Sequence, residues 1–247
     1  MPYVNQLASR YGLATQYFAD AHNSLLDYFM LTAGATIAQD DNYIGPVTQD
    51  NVVRALKAAG KSWKCYAESL PAAGYTGGDM GAYIKHHNPF VYFTDVLNDP
   101  AEAANVVPFS QFATDLANGG LPDYSFIVPN VNDDAHDCPA GLASCADSQK
   151  LVAADQWLQA NVDSFLKSST FQNSLLIVTF DEGDLSDNAH GGGQVATLIL
   201  SPKAKPGYQS TTFYQHESAL RLTMEALGVS DLPGAAAGAP EMDEFFK

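Results

Sequence analysis

The amino-acid sequence predicts a three-layer α/β/α sandwich around a mostly parallel central sheet. Four short apolar segments have the composition of buried strands and alternate with segments of helical periodicity, at 62–67, 124–129, 175–180 and 195–200. A chain of 247 residues with 46% hydrophobic content can bury a sizeable core. Folds of this class often form one domain of ~200–250 residues. We therefore expect a single domain spanning residues 1–247.

The predicted helices are defined by apolar residues that recur every three to four positions, and several end at glycines. They lie at 2–10, 25–34, 48–59, 109–118, 148–166 and 214–228. Thr48 is the expected cap of the third of these helices. A short strand-like segment at 14–19 and a glycine-rich loop at 71–81 complete the alternation.

The composition restricts the classes of partner. The formal net charge is −16 and the isoelectric point is near 4.4, so the long-range field repels phosphate backbones and anionic membranes. Nucleic acid is therefore not an expected partner. No apolar run reaches the ~18 residues that a membrane span requires. An anionic substrate needs a local cation or a helix N-terminus to overcome the field.

The segment at 175–184 joins a buried strand to a group of acids. The apolar run ends at Phe180 and is followed at once by Asp181 and Glu182. Ligands of open α/β sheets bind at the carboxyl ends of the strands, and carboxylates are hard ligands for divalent cations. The two acids are thus a candidate metal site or acid/base pair. A solvated strand end without function would look the same.

Ser24 falls at the predicted start of the second helix. A hydroxyl there lies near free backbone N–H groups, where it serves as an N-cap or as a nucleophile held beside a bound anion. Capping is the commoner role of a serine at this position.

All six histidines fall in polar segments at expected strand ends or helix starts. None belongs to a core pattern: His22, His86, His87, His136, His190 and His216. The acids at 132–137, around His136, repel one another unless solvent or a cation relieves them. Imidazoles, a hydroxyl and paired carboxylates together suit phosphoryl transfer.

Cys138 and Cys145 bracket a short loop and have a spacing that allows a disulfide, with Cys65 left over. A disulfide indicates an oxidising compartment, whereas three reduced thiols remain the alternative. The chain starts without a basic and apolar leader, which is expected of a cytosolic protein or of one whose N-terminus has been removed.

The ordered motifs resemble the bacterial phosphoesterase family that holds acid phosphatases and phospholipases C, within the alkaline-phosphatase-like superfamily. The resemblance extends over nearly all of the chain. It rests on matches at 22–28, at Ser62, Trp63, Tyr66 and Glu68, and at 87–90, 129–137, 179–182, Tyr214, His216 and Ser218.

The resemblance implies a metal-dependent phosphoric ester hydrolase of acid phosphatase or phospholipase C type, secreted or periplasmic. Its substrate would be a small phosphate ester or a phospholipid headgroup. Ser24, His136 and His190 are then catalytic, and Ser24, Asp181 and Glu182 hold a divalent cation. Substrate contacts are assigned to Asp27, His87, Asn88 and His216.

Two departures from the family pattern matter. Family members begin with a strand ending in Glu-Asn, and this chain starts after it, so we expect a truncated domain with one sheet position left empty or filled by a substitute. Asp27 replaces an Asn, and an acid there repels phosphate unless it is protonated or turned to the metal. A non-catalytic or truncated relative that keeps the fold is therefore the alternative function. A glycosidase using Asp181 and Glu182 is less suitable, because adjacent side chains on a strand point to opposite faces.

Overall fold

The computed structural model describes residues 1–246. Within them the helices are α1 (Pro2–Arg10), α2 (Ser24–Ala33), α3 (Val52–Ala58), α4 (Thr94–Leu97), α5 (Pro100–Ala103), α6 (Ser110–Ala117), α7 (Asp147–Leu166) and α8 (His216–Ala226). The strands are β1 (Gly12–Ala14), β2 (Trp63–Ala67), β3 (Val106–Pro108), β4 (Tyr124–Val128), β5 (Leu176–Val178), β6 (Thr197–Leu200) and β7 (Gln209–Ser210). No helix in this range is both long and apolar enough to cross a bilayer.

The strands form two sheets in one layer. The first has the order β3-β2-β4 and is parallel, with Cys65 paired to Val106 on one side and to Phe126 on the other. The second has the order β5-β6-β1-β7. In it β1 and β5 both run antiparallel to β6, and β7 is parallel to β1. The carboxyl ends of β4 and β5 face the same group of acids, so the strands of the two sheets have the same direction. Among residues 1–246, β6 is the strand that runs opposite to the others. The predicted mostly parallel arrangement is confirmed.

Alternating side chains of the strands divide the core into two helix layers. Leu176 and Val178 of β5 pack with α1, α6 and α7, whereas Ile177 packs on the opposite face with Leu31 of α2 and Ala219 of α8. This period of two is that of a strand buried on both faces. The predicted α/β/α sandwich follows from it.

Two local expectations differ from the structure. The helix predicted from Thr48 begins at Val52, and Asn51 is its cap, since the Asn51 side chain accepts a hydrogen bond from the backbone N–H of Arg54. The strand-like segment at 14–19 contributes β1 only through Ala14, and Tyr17 and Phe18 make isolated bridges to Tyr214 and Gln194. Strand pairing there depends on distant partners that a local pattern does not contain.

A cleft of about 740 Å³ lies between β4 and β5. Residues of both strand edges line it, together with Leu158 of α7 and Leu220 of α8, and Asp181 lies at one end. The cleft therefore runs through the sheet layer itself, between the two helix layers.

Candidate active site

Ser24 is the first residue of α2, and its hydroxyl is not the cap of that helix. The side chain of Asn23 caps it by accepting a hydrogen bond from the backbone N–H of Leu26. The Ser24 hydroxyl instead donates to Glu182 Oε1 over 3.1 Å. Ser24 is only 3% exposed. The sequence left two roles open for this serine, helix cap or nucleophile. In the structure the Ser24 side chain does not cap α2, and its hydroxyl contacts a carboxylate instead.

Glu182 contacts both ends of the motif that starts at His22. Its Oε2 lies 3.0 Å from His22 Nδ1, and His22 Nε2 lies 2.8 Å from the carbonyl oxygen of Asp187. Both partners are acceptors, so both contacts are hydrogen bonds when His22 carries two ring protons. Burial, and then the neighbouring charge of Asp181, raise the pKa of Glu182 above its usual range.

The loop that carries His190 packs tightly against the chain before His22. A Cβ atom on Gly191 would lie 2.1 Å from the carbonyl oxygen of Asp20, and one on Gly192 would lie 2.1 Å from that of Ala21. Glycine is therefore required for this approach. The contact holds the Asp187 carbonyl in reach of His22 and so fixes the position of Glu182.

The N-terminus of α2 already holds a carboxylate. The backbone N–H of Leu25 donates to Asp41 Oδ1 over 2.9 Å. Free N–H groups in the first turn of a helix attract anions, and here they lie next to the Ser24 hydroxyl. Sequence reasoning did not identify Asp41, since no local pattern links the loop at 35–47 to this helix start.

Asp27 and His216 lie wholly inside the protein, each with 0% exposure. Asp27 Oδ1 accepts hydrogen bonds from the backbone N–H groups of Asp20 and Ala21, at 2.8 and 3.2 Å. Burial, above all, raises the pKa of Asp27 to about 9. The carboxyl is therefore neutral near pH 7, which is the protonated state in which it does not repel phosphate.

His216 orients the acid at the strand end. Its Nε2–H donates to the carbonyl oxygen of Asp181 over 2.6 Å, and its Nδ1 accepts from the Tyr17 hydroxyl at 3.1 Å. Burial lowers the pKa of His216 to about 4, so the ring is neutral. Asp27 and His216 thus contact the backbone that carries Asp20, Ala21 and Asp181, and in this structure neither reaches the surface.

His87 and Asn88 lie in two short 3₁₀ turns, Lys85–His87 and Pro89–Tyr92. His87 Nδ1 lies 3.1 Å from Asp134 Oδ2. Burial is the largest single effect, and it lowers the pKa of His87. The hydrogen bond to Asp134 and the charge of Asp181 act in the opposite direction, and the pKa of His87 lies above its usual value. Asn88 is buried between Cys65 Sγ, at 3.6 Å, and the Tyr83 hydroxyl, at 3.3 Å.

The remaining two predicted catalytic histidines lie in different places. The ring of His136 is 5.4 Å from that of His87, and the His136 side chain is 46% exposed. A disulfide between Cys138 and Cys145 closes the loop that follows it. The ring of His190 lies between Phe18 and Phe213, tilted to both, with ring centroids 4.4 and 4.7 Å away. Among residues 1–246, no hydrogen bond joins the ring of His190 to Ser24 or Glu182.

The donor set of Ser24, Asp181 and Glu182 fits a hard divalent cation. It consists of oxygen atoms only, and burial, followed by the charge of neighbouring Asp181, raises the pKa of Glu182. Oxygen donors with this excess of negative charge are the usual ligands of magnesium, calcium and manganese ions.

The sandwich, with a helix-start serine hydrogen-bonded to an acid at a strand end, has the fold of proteins in the alkaline phosphatase superfamily. Solved structures support the fold. A protein of the alkaline phosphatase superfamily from Vibrio parahaemolyticus matches with a TM-score of 0.67 at 12% identity, over 99% of this chain and 65% of that one. The lipoteichoic acid synthase LtaP from Listeria monocytogenes matches with a TM-score of 0.63 at 11% identity, over 94% and 67%.

The chain belongs to the phosphoesterase family, whose model matches residues 1–230. It is 30% identical to the phosphatidylinositol-3-phosphatase of Mycobacterium tuberculosis, over 99% of this chain and 75% of that protein. It is also 30% identical to the phosphate-repressible acid phosphatase of Penicillium chrysogenum, over 87% of this chain and 52% of the relative. The chain thus spans about half the length of that fungal acid phosphatase. The family is one of phosphoester-cleaving enzymes, as the sequence motifs predict.

Proposed function

We propose that the protein hydrolyses phosphoric esters with Ser24 as the nucleophile, at a divalent cation held by Ser24, Asp181 and Glu182. The observation that carries the proposal is the 3.1 Å hydrogen bond from the Ser24 hydroxyl to Glu182, at the N-terminus of α2. A nucleophile, an acceptor for its proton and an anion-binding helix start meet at that point.

The helix start provides the substrate site. The Leu25 N–H group that now donates to Asp41 is available to a phosphate oxygen once the carboxylate moves aside. The carboxylate of Asp41 occupies the position beside the Leu25 N–H group that a phosphate oxygen of the substrate would take. The protonated state of Asp27 removes one negative charge from the surroundings. A small phosphate ester or a phospholipid headgroup is the proposed substrate.

Ser24 Oγ attacks phosphorus, and the bond to the leaving oxygen breaks as a phosphoserine forms. Glu182 is the nearest acceptor for the hydroxyl proton. Ser24, Asp181 and Glu182 would hold a divalent cation, which would supply positive charge to the hydroxyl and the phosphate oxygens. His136 and His190 are proposed to face the phosphate or leaving group, with His87 beside His136. Water then hydrolyses the phosphoserine.

The disulfide between Cys138 and Cys145 supports an oxidising location, and we propose that the protein is secreted or periplasmic.

The proposal is tested by comparing Ser24→Ala with Ser164→Ala, a matched change at an exposed serine of α7. With p-nitrophenyl phosphate and a divalent metal, Ser24→Ala should abolish hydrolysis and Ser164→Ala should retain it. Mass spectrometry of acid-quenched reactions should find phosphate on the peptide that contains Ser24. Full hydrolysis by Ser24→Ala, with contaminating phosphatase excluded, would contradict the assignment.

A further inference from the structure

Three histidines form a cluster beside the proposed active site. His86 and His87 lie in the 3₁₀ turn Lys85–His87, and His136 lies in the loop after β4. One ring nitrogen of each lies within 4.8 Å of those of the other two. Ring centroids are 4.8 Å apart for His86 and His87 and 5.4 Å apart for His87 and His136. We call His86, His87 and His136 the three-histidine cluster.

We propose that the three-histidine cluster binds a divalent transition-metal cation through its imidazole nitrogens, at a site separate from Ser24, Asp181 and Glu182. Imidazole nitrogens favour zinc, cobalt and nickel ions, whereas the oxygen atoms of the other site favour harder cations. The two sites therefore differ in the metal that each prefers.

The hydrogen bonding of His87 supports a metal ligand. Its Nδ1–H donates to Asp134, which leaves Nε2 as the ring nitrogen that can bind a cation. That Nε2 atom is buried and has no hydrogen-bond partner. His87 itself is only 4% exposed. A buried ring nitrogen without a partner lacks a contact that a cation would supply.

Carboxylates orient two of the three rings. Asp134 contacts His87 Nδ1, and Asp137 Oδ1 lies 3.0 Å from His136 Nδ1. Histidine ligands of metals commonly donate the other ring N–H to a carboxylate in this way, which fixes the tautomer and makes the ligand more basic. The same arrangement at two rings leaves the Nε2 atom of each ring outside these carboxylate contacts.

The charges around the cluster favour a cation. Three imidazoles this close cannot all be protonated without mutual repulsion. The carboxylates of Asp41, Asp79, Asp134 and Asp181 all act electrostatically on His86 or His87. The molecule as a whole carries a net charge of −16. These carboxylates attract a divalent cation to this position.

Zinc titration calorimetry on the chelator-treated protein tests the proposal, with cobalt(II) absorption as a second readout. The test variants are His86→Ala and His136→Ala, whose side chains lie outside the buried core. We expect each to weaken zinc binding at least tenfold and to remove the visible cobalt band of imidazole ligation. Asp134→Asn should weaken zinc binding about tenfold to hundredfold, as outer carboxylates do elsewhere.

Two control variants separate this site from other binding. Glu182→Gln removes a ligand of the carboxylate site, and His190→Ala removes a histidine that lies outside the cluster; both should leave zinc affinity unchanged. Unchanged affinity in His86→Ala, or equal loss in Glu182→Gln, would overturn the proposal. Thermal unfolding without metal shows whether each variant is folded. If His136→Ala is not folded, the zinc affinity of His86→Ala alone tests the proposal. Because binding is measured, the result does not depend on hydrolysis by Ser24.

Discussion

At the scale of single residues, the buried polar groups behind the site determine where its reactive groups lie. Asp27 has one oxygen bonded to the backbone at Asp20 and Ala21, and its Oδ2 is buried without a partner. The neutral carboxyl therefore holds the chain before His22 in place. His216 does the same for Asp181 through the Asp181 carbonyl oxygen. These two residues position the site from within.

The raised pKa of Asp27 makes stability depend on pH. An unfolded aspartate ionises near pH 4, whereas folded Asp27 keeps its proton until about pH 9. Between these values the folded state binds the extra proton, so its stability falls as pH rises. Asp27→Asn lacks this dependence. We expect the unfolding temperature of Asp27→Asn, minus that of the parent, to increase from pH 5 to pH 9.

Thermal unfolding of chelator-treated protein at several pH values measures this difference. The matched control is Asp231→Asn, at an exposed acid, whose difference from the parent should stay constant. A constant difference for Asp27→Asn as well would show that Asp27 ionises normally in the folded protein.

At the scale of elements, the N-terminus of α1 is capped by one side chain of α7. Asp155 accepts hydrogen bonds from the backbone N–H groups of Tyr3 and Val4, both at 2.9 Å. The N-cap residue of α1, Met1, has no capping side chain, so Asp155 satisfies donors that the local sequence leaves free. The start of this helix is thus capped by a residue that lies 151 positions from Val4 and 152 from Tyr3 in the sequence.

Replacing Asp155 with Ala should destabilise the protein by about 1–3 kcal/mol, because two buried N–H groups lose their acceptor. Asp155→Asn keeps one acceptor oxygen and should cost less. Gln159→Ala, at an exposed position of the same helix, is the control and should change stability little. Urea unfolding measures all three. If Asp155→Ala matched Gln159→Ala, the cap would not contribute to stability.

At the scale of the whole molecule, the cleft between β4 and β5 separates the two sheets. Apolar side chains from the strands and from both helix layers line it, including Phe126, Ile177 and Leu222. Both strands are only partly buried along most of their length, although their composition is that of interior strands, whereas all four residues of β6 are buried. An apolar cleft of this size promotes association or ligand capture.

We expect the folded protein to enhance the fluorescence of an anilinonaphthalene sulfonate dye, because the dye binds accessible apolar clefts. Leu158→Lys places a charge in the lining of the cleft and should reduce this fluorescence several-fold. Leu151→Lys lies on the same helix outside the lining and should not. Circular dichroism confirms that both variants are folded. Equal fluorescence from Leu158→Lys and the parent would place the dye elsewhere.

The sequence motifs assigned Ser24, Asp181 and Glu182 to one site, and the structure brings the hydroxyl of Ser24 to Glu182. The catalytic and metal-binding roles of these three residues stay predictions. The partners of the site residues escaped prediction, because they come from segments distant in sequence. Asp41 at the helix start and Asp134 at His87 are both of this kind. The catalytic and substrate-binding roles of His136, His190, His87, Asn88 and His216 stay predictions.

The sequence by itself determined the alternation of strands and helices, the two-sided burial of the sheet and the placement of Asp181 and Glu182 at a strand end. These follow from periodicity and composition, which are local properties. Only the tertiary structure decided that β6 runs against the other strands, that Asn23 caps α2 and frees the Ser24 hydroxyl, and that three histidines meet. Each of these depends on which segments become neighbours in space, and burial and backbone pairing across the whole chain decide that.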